Sequence, residues 1–150
     1  MSQPWTTLFS IDRDVLMEKN LAAVTQSQAD RPPSHGVNSI TWILSHILEY
    51  RHELLREVLK SAYRPTTTGP RTLAQFKAAM DETQAALKEA FDSTDWDERQ
   101  FHPAFQASVP LGQIVGTLFM HETYHLGQLG TARKLLGLPG AIKPPGAAKV

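Results

Sequence analysis

Residues 110–130 read PLGQIVGTLFMHETYHLGQLG, and this stretch decides the fold. Its apolar residues recur with the period of an α-helix and define one buried arc: Leu111, Ile114, Val115, Leu118, Leu126 and Leu129. Pro110 suits a helical first turn, and a basic residue followed by Gly137 and Pro139 marks the end. The pattern predicts one long amphipathic helix from Pro110 to about residue 137.

Three further amphipathic stretches precede this helix. The first covers residues 4–26 and ends at the break DRPPSHGVN. The second begins at Asn38 or Ser39, either of which is a plausible N-cap. The third begins where Thr72 and Gln75 have capping-box spacing. We find no alternating strand and no repeat, so the expected class is all-α and the expected architecture is a four-helix bundle.

The composition describes an ordinary single domain. The chain has 150 residues, and its 15 basic and 15 acidic side chains cancel, which argues against partners such as nucleic acid or an anionic membrane. No signal-like N-terminus and no apolar run of roughly 20 residues occurs, so we expect a cytoplasmic protein. Residues 1–137 are expected to form the domain, and residues 138–150 a Pro/Gly-rich C-terminal tail. Because there is no cysteine, a bound metal needs nitrogen and oxygen ligands.

Three histidines are candidate metal ligands. His121 and His125 are one helical turn apart. His121 lies on the edge of the buried arc and His125 lies inside it. His46 shares a face of the second helix with Ile43, Ile47 and Tyr50. Three imidazoles facing one interior would leave a divalent ion with open positions. The alternative is that each histidine is a core residue satisfied by a carbonyl or a carboxylate.

The other histidines are weaker candidates. His35 and His102 lie in predicted loops, where a solvated or capping role is expected, although His102 could also fold over the site as a lid. His52 is off the core face of its helix and is expected to be solvated.

The motif His-Glu-x-x-His is typical of zinc peptidases, but the surrounding residues argue against a peptidase. The longer peptidase signature would place Gly at position 128 and His at 131, where this chain has Gln128 and Thr131. No Asp, Glu or His follows His125, so a third ligand downstream is missing. The pair of histidines therefore needs a partner from another helix.

The segments NSITWILSHI (38–47), WILSHILEY (42–50) and HETYHLGQLGTARKLLGL (121–138) together resemble the DinB/YfiT-like superfamily. The resemblance implies a four-helix bundle with an up-down-down-up arrangement. It also implies a divalent ion, commonly nickel, zinc, iron or manganese, held by His46, His121 and His125. Members include thiol S-transferases and a maleylpyruvate isomerase that use low-molecular-weight thiols, and many are homodimers, which is the state expected here.

Two polar residues of the last helix are candidate catalytic residues. Gln128 matches the Gly-Gln of the family, which implies a hydrogen bond near the site, with plain surface solvation as the alternative. Glu122 falls near the middle of the buried arc and therefore needs a partner. It is either a base or an anchor at the site, or it forms an ion pair across the bundle with Lys19, which is also phased inward.

The ligand set suggests the chemistry. Neutral imidazoles leave the charge of the ion uncompensated, so it could activate a bound water or thiol at neutral pH. Any thiol must come from a small-molecule cosubstrate, since the chain has none. The leading hypothesis is a metal-dependent transferase that uses a low-molecular-weight thiol. The alternatives are a metal-dependent hydrolase and a non-catalytic, stress-related metal-binding bundle.

Finally, a stripe beside the apolar arc of the last helix contains Gly112, Gly116, Thr123, Gly127 and Gly130. Each glycine inside a helix costs up to about 1 kcal/mol relative to alanine. The stripe therefore predicts a close approach by another helix, within the chain or across a dimer.

Overall fold

A computed structural model describes residues 3–143, and most of them are helical. Two stretches, labelled π in the order that follows, have the wider i→i+5 turns of a π-helix. In chain order the elements are α1 (Pro4–Ile11), π1 (Asp12–Met17), α2 (Glu18–Leu21), α3 (Gln26–Asp30), α4 (Ile40–Glu53), π2 (Leu54–Val58), α5 (Leu73–Asp92), β1 (Arg99–His102), β2 (Ala107–Pro110) and α6 (Leu111–Leu135).

The first predicted helix is shorter than expected. α1, π1 and α2 follow one another without a break, but the chain leaves the helix after Leu21, because Ala23 adopts a left-handed conformation with φ of 62°. A separate short helix, α3, then begins at Thr25, whose hydroxyl accepts a hydrogen bond from the backbone N–H of Gln28. The predicted end near residue 26 is therefore wrong, because this second N-cap was read as part of the first helix.

The other helix starts follow the local signals in the sequence. Ser39 caps α4, since its Oγ accepts from the backbone N–H of Trp42 at 3.1 Å, so Ser39 rather than Asn38 is the N-cap. Thr72 and Gln75 form the predicted capping box of α5. Pro110 immediately precedes α6, which ends at Leu135 near the predicted stop. Short-range capping hydrogen bonds thus mark where α4 and α5 begin.

The connection before α6 contains a small sheet, so the prediction of no strand is wrong. β1 and β2 form an antiparallel hairpin in which Arg99 pairs with Pro110 and His102 with Ala107. Val109 is the only buried residue of the two strands. Because one buried position cannot produce an alternating apolar pattern, the strands left no period-two signal in the sequence.

The helices pack around two neighbouring clusters of apolar side chains. α4 packs against α5 and α6, and the segment from α1 to α2 packs against α5 and α6. The core has two neighbouring clusters, centred on Ile47 and Met80 in one and on Phe9 and Phe91 in the other. The expected all-α class is confirmed apart from the hairpin. Within residues 3–143, no helix has the length and apolar character needed to cross a membrane.

The glycine stripe is in contact with the first helical segment at two positions. A Cβ added to Gly116 would lie 3.0 Å from the ring of Trp5, and one added to Gly130 would lie 3.2 Å from Oδ1 of Asn20. A close approach is therefore present at Gly116 and Gly130. It is absent within residues 3–143 at Gly112 and Gly127, where an added Cβ would meet nothing within 4 Å.

A buried ion pair joins α4 to α6. Arg51 Nε donates to Glu122 Oε2 at 2.8 Å and Nη2 donates to Oε1 at 2.6 Å, with side chains only 1% and 3% exposed. Arg51 Nη1 also donates to the backbone oxygen of Met80 and to Thr83 Oγ1. The predicted ion pair of Glu122 therefore exists, but its partner is Arg51. Lys19 is exposed, because the wider turns of π1 shift the helical phase of every residue after it.

A second carboxylate is buried beside this pair. Asp12 is 1% exposed, and its Oδ2 lies 2.9 Å from the hydroxyl of Thr123. Burial is the largest influence and raises the pKa of Asp12 to about 7, and the charge of Glu122 adds to the rise, whereas the Thr123 hydrogen bond and the Arg51 charge oppose it. Asp12 is therefore a buried carboxyl group that titrates near neutral pH.

We predict that the Arg51–Glu122 pair is costly to break from one side. Arg51→Met leaves Glu122 charged and unpaired in the core, and we expect a loss of about 3–5 kcal/mol in the free energy of unfolding, measured with urea. The double variant Arg51→Met/Glu122→Leu serves as the control, because it removes both charges and should recover most of the loss. A loss below about 1 kcal/mol in Arg51→Met would contradict a tightly coupled pair.

We also predict that Asp12 makes stability depend on pH. The folded-state pKa lies above the ordinary value of 3.8 for an aspartate side chain, so the folded state holds the proton more tightly. Stability therefore falls as pH rises from about 4 to about 7 and then levels off. Asp12→Asn should remove this fall and gain on the order of 1 kcal/mol or more at neutral pH. The measurement is the difference in unfolding free energy between the two proteins across this range, and a constant difference would refute the assignment.

Candidate metal centre

Three histidine rings converge between α4 and α6. His46 comes from α4, and His121 and His125 come from successive turns of α6. The ring centroids of His46 lie 5.1 Å from His121 and 4.4 Å from His125, and those of His121 and His125 are 4.4 Å apart. One nitrogen from each ring lies within 4.8 Å of the others, so the cluster could hold a metal ion. The three histidines singled out in the sequence are thus brought together.

Helix packing explains this convergence. The spacing of four residues places His121 and His125 on one face of α6. The ion pair between Arg51 and Glu122 then holds α4 against that face, since Arg51 lies five residues after His46 and Glu122 is next to His121. The distance between the helices at the cluster is therefore set by a buried contact directly beside it.

His125 is held in one tautomer by Gln128. The Nδ1 atom of His125 lies 2.7 Å from Gln128 Oε1, and because an amide oxygen can only accept, Nδ1 carries the hydrogen. The Nε2 atom then keeps its lone pair, and it lies 3.0 Å from Nε2 of His121. The hydrogen bond expected of Gln128 is present, and it leaves Nε2 as the nitrogen of His125 that could face an ion.

His46 and His121 are also poised as neutral ligands. Burial, followed by the charge of His125 and then that of His46, lowers the pKa of His121 to about 4. Burial and the charge of His125 lower the pKa of His46, and this outweighs the opposing effect of Glu49. Neutral imidazole is the form that binds metals, so neither ring must lose a proton at neutral pH. The donor set therefore fits a divalent ion.

Aromatic side chains surround the cluster. Trp42 stacks on His46 with ring centroids 4.9 Å apart, and Tyr50 lies 3.8 Å from the ring of His121. Tyr124 meets the ring of His125 edge-on at 5.3 Å. Sequence reasoning missed Trp42 and Tyr124 as parts of the site. The position of Trp42 one helical turn before His46 was the available signal.

Glu122 lies beside the cluster but is not free to react. Both of its oxygens accept hydrogen bonds from Arg51, and the side chain is 3% exposed. A carboxylate held in this way is poorly placed to take a proton from a substrate, because its lone pairs face a buried cation. The geometry thus favours the ion-pair interpretation of Glu122 over the base interpretation.

The remaining histidines lie outside the cluster. His35 is exposed, as predicted. His102 lies in β1 and its Nδ1 accepts from the backbone N–H of Ala104 at 3.3 Å, which is a capping role rather than that of a lid. His52 is half-buried near Tyr63, and its Nε2 has no hydrogen-bond partner among residues 3–143, so the prediction of a solvated side chain is wrong.

Comparison with known proteins agrees with this geometry. The sequence profile of the DinB superfamily matches residues 12–129, a range that includes all three histidines, Arg51 and Glu122. Among curated proteins, no match was found. Since the matched range covers well over half of the sequence, the chain belongs to the DinB superfamily.

Proposed function

We propose that the protein is a metal-dependent transferase that joins a low-molecular-weight thiol to an electrophilic small molecule. The observation that carries the proposal is the convergence of three imidazole side chains, with the Gln128 hydrogen bond to Nδ1 of His125 leaving Nε2 of that ring to face an ion. The ion would be held by His46, His121 and His125. Nickel, zinc, iron and manganese all remain candidates, since imidazole is a ligand that suits several of these metals.

The chemistry follows from the charges around the cluster. When bound, the ion would supply Lewis acidity that favours the ionised form of a thiol. Its charge would not be cancelled nearby, because Glu122 is already neutralised by Arg51. In this scheme Gln128 keeps His125 in the binding tautomer, and Glu122 positions His121 through its ion pair. The thiol must come from solution, because the chain contains no cysteine.

The architecture around the site is also part of the proposal. We propose that residues 1–137 form one domain in which four helical segments run up-down-down-up. Its support is that the α1–α2 segment and α4 each pack against both α5 and α6, which closes a ring of four. Of the predicted tail, residues 138–143 lie beside the end of α6, where Arg133 Nε donates to the oxygen of Pro139, and residues 144–150 lie outside the described part. A cytoplasmic homodimer stays a prediction.

We predict that metal binding depends on the three histidines. His125→Ala should lower the content of divalent metal from about one ion per chain to near zero, as measured by elemental analysis of purified protein. The Gln128→Leu variant should bind the metal ion about 10- to 100-fold more weakly, since it loses the hydrogen bond that fixes the tautomer of His125. His52→Ala is the matched control, because His52 is a half-buried histidine of α4 outside the cluster. Full metal content in His125→Ala would remove that residue from the ligand set.

We predict that turnover requires metal and thiol together. With an activated aryl chloride as the electrophile, the carbon–chlorine bond breaks as the carbon–sulfur bond forms, and the thiol proton passes to water. The rate should saturate with thiol concentration and fall by about 10²-fold or more in His121→Ala. His52→Ala should retain the rate. Ester cleavage without thiol would favour the hydrolase alternative, and no turnover with either substrate class would leave a non-catalytic metal-binding protein.

A further inference from the structure

A cavity of about 550 Å³ lies next to the histidine cluster. One wall is the loop at residues 36–38 with Ile43 of α4, and the other is the face of α6 that carries Tyr124, Gly127 and Gln128. The volume is within the range of pockets that bind small molecules. Tyr124 and Gln128 both contact His125, so the cavity and the cluster share a wall.

The lining of the cavity contains no charged side chain. Val37, Ile43 and the ring of Tyr124 supply apolar surface, and amides and hydroxyls supply the polar surface. A charged group in this space would find no counter-ion among the lining residues, whereas apolar and hydrogen-bonding groups would find partners. The lining therefore favours an uncharged ligand.

Two side-chain amides supply hydrogen-bond donors to the cavity. Gln128 uses its oxygen to hold His125, so its Nε2 hydrogens remain available, and they donate to no atom among residues 3–143. Asn38 also lines the cavity, and its side chain makes no hydrogen bond within the described range. An acceptor oxygen on a ligand could accept hydrogen bonds from these amides.

We propose that this cavity binds an uncharged, partly apolar carbonyl compound whose oxygen accepts a hydrogen bond from Gln128 Nε2. The assignment of this ligand as the electrophile rests on the proposed transfer reaction, whereas the binding itself does not. Because one amide serves both the ligand and His125, the bound molecule lies against the wall of the metal centre. A charged thiol would then reach the ion from outside this cavity.

Gly127 keeps the cavity open. A Cβ added there would meet nothing within 4 Å, and Gly127 lines the cavity, so a larger side chain would project into the empty space. Gly127→Leu is therefore expected to fold and to fill the site. Gly112→Leu is the matched control, because an added Cβ at Gly112 also meets nothing within 4 Å and Gly112 is not part of the lining.

The test compares two probes of matched shape. The first probe, N-phenylsuccinimide, is uncharged. The second is the same compound with a carboxylate at the para position of the phenyl ring, which carries one negative charge. Binding of each is measured by ligand-observed NMR titration, with the protein as purified and after chelation of metal. We expect N-phenylsuccinimide to bind both forms, and its carboxylate to bind at least about 10-fold more weakly, equivalent to about 1.4 kcal/mol. Gly127→Leu should abolish this binding, and Gly112→Leu should retain it.

A further variant tests whether Nε2 of Gln128 donates a hydrogen bond to the ligand. Gln128→Glu can still accept from His125 Nδ1, but it replaces the Nε2 donor with a second acceptor, so the probe should bind at least about 10-fold more weakly. Equal binding of the two probes, no binding of either, or unchanged binding in Gly127→Leu would overturn the proposal. So would a change from dimer to monomer in Gly127→Leu on size-exclusion chromatography, because a second copy would then cover the cavity. These binding measurements do not depend on turnover. A protein that binds the probe but catalyses no transfer would contradict the proposed function and leave this proposal standing.

Discussion

The ion pair between Arg51 and Glu122 is the interaction on which the arrangement of the site depends. Its two charges are almost fully withdrawn from water, and such a pair is retained only if both partners and their further hydrogen bonds are in place. Arg51 meets these conditions through its fork on Glu122 and its bonds to Met80 and Thr83. The pair thereby ties α4 to α6 with a contact that a one-turn slip of either helix would destroy. A looser apolar contact would hold the helices together without fixing their register so narrowly.

This register explains which parts of the site the sequence could predict. His121 and His125 are one turn apart, so their proximity is a local property of α6. His46 could be inferred only because it shares a face with apolar residues. That face placed it toward the interior, but it did not give the distance from His46 to the other two histidines. The partner of Glu122 could not be inferred, since Arg51 lies 71 positions away and Lys19 had an equally plausible phase on a regular helix. The π-type turns between Asp12 and Met17 rotate Lys19 away from the interior. We recognised no signal for these turns in the sequence.

The elements of the fold also differ in how far the sequence predicts them. Capping signals at Ser39 and Thr72 are short-range, so the starts of α4 and α5 were predictable from a few neighbouring residues. The hairpin was not, because its strands bury only Val109 and are held mainly by backbone pairing, to which any side chain can contribute. The break after Leu21 depends on a left-handed conformation at Ala23, a residue type that rarely adopts it.

The distribution of charge gives the proposed reaction a spatial order. Burial keeps His121 and His46 neutral, and Arg51 cancels Glu122, so a bound divalent ion would be the dominant charge in this part of the protein. The neighbouring cavity has no charge in its lining. An anionic reactant would therefore be drawn to the ion, whereas an uncharged one needs no counter-ion in the cavity. Since Gln128 contacts both places, the two proposed reactants would meet across a single side chain.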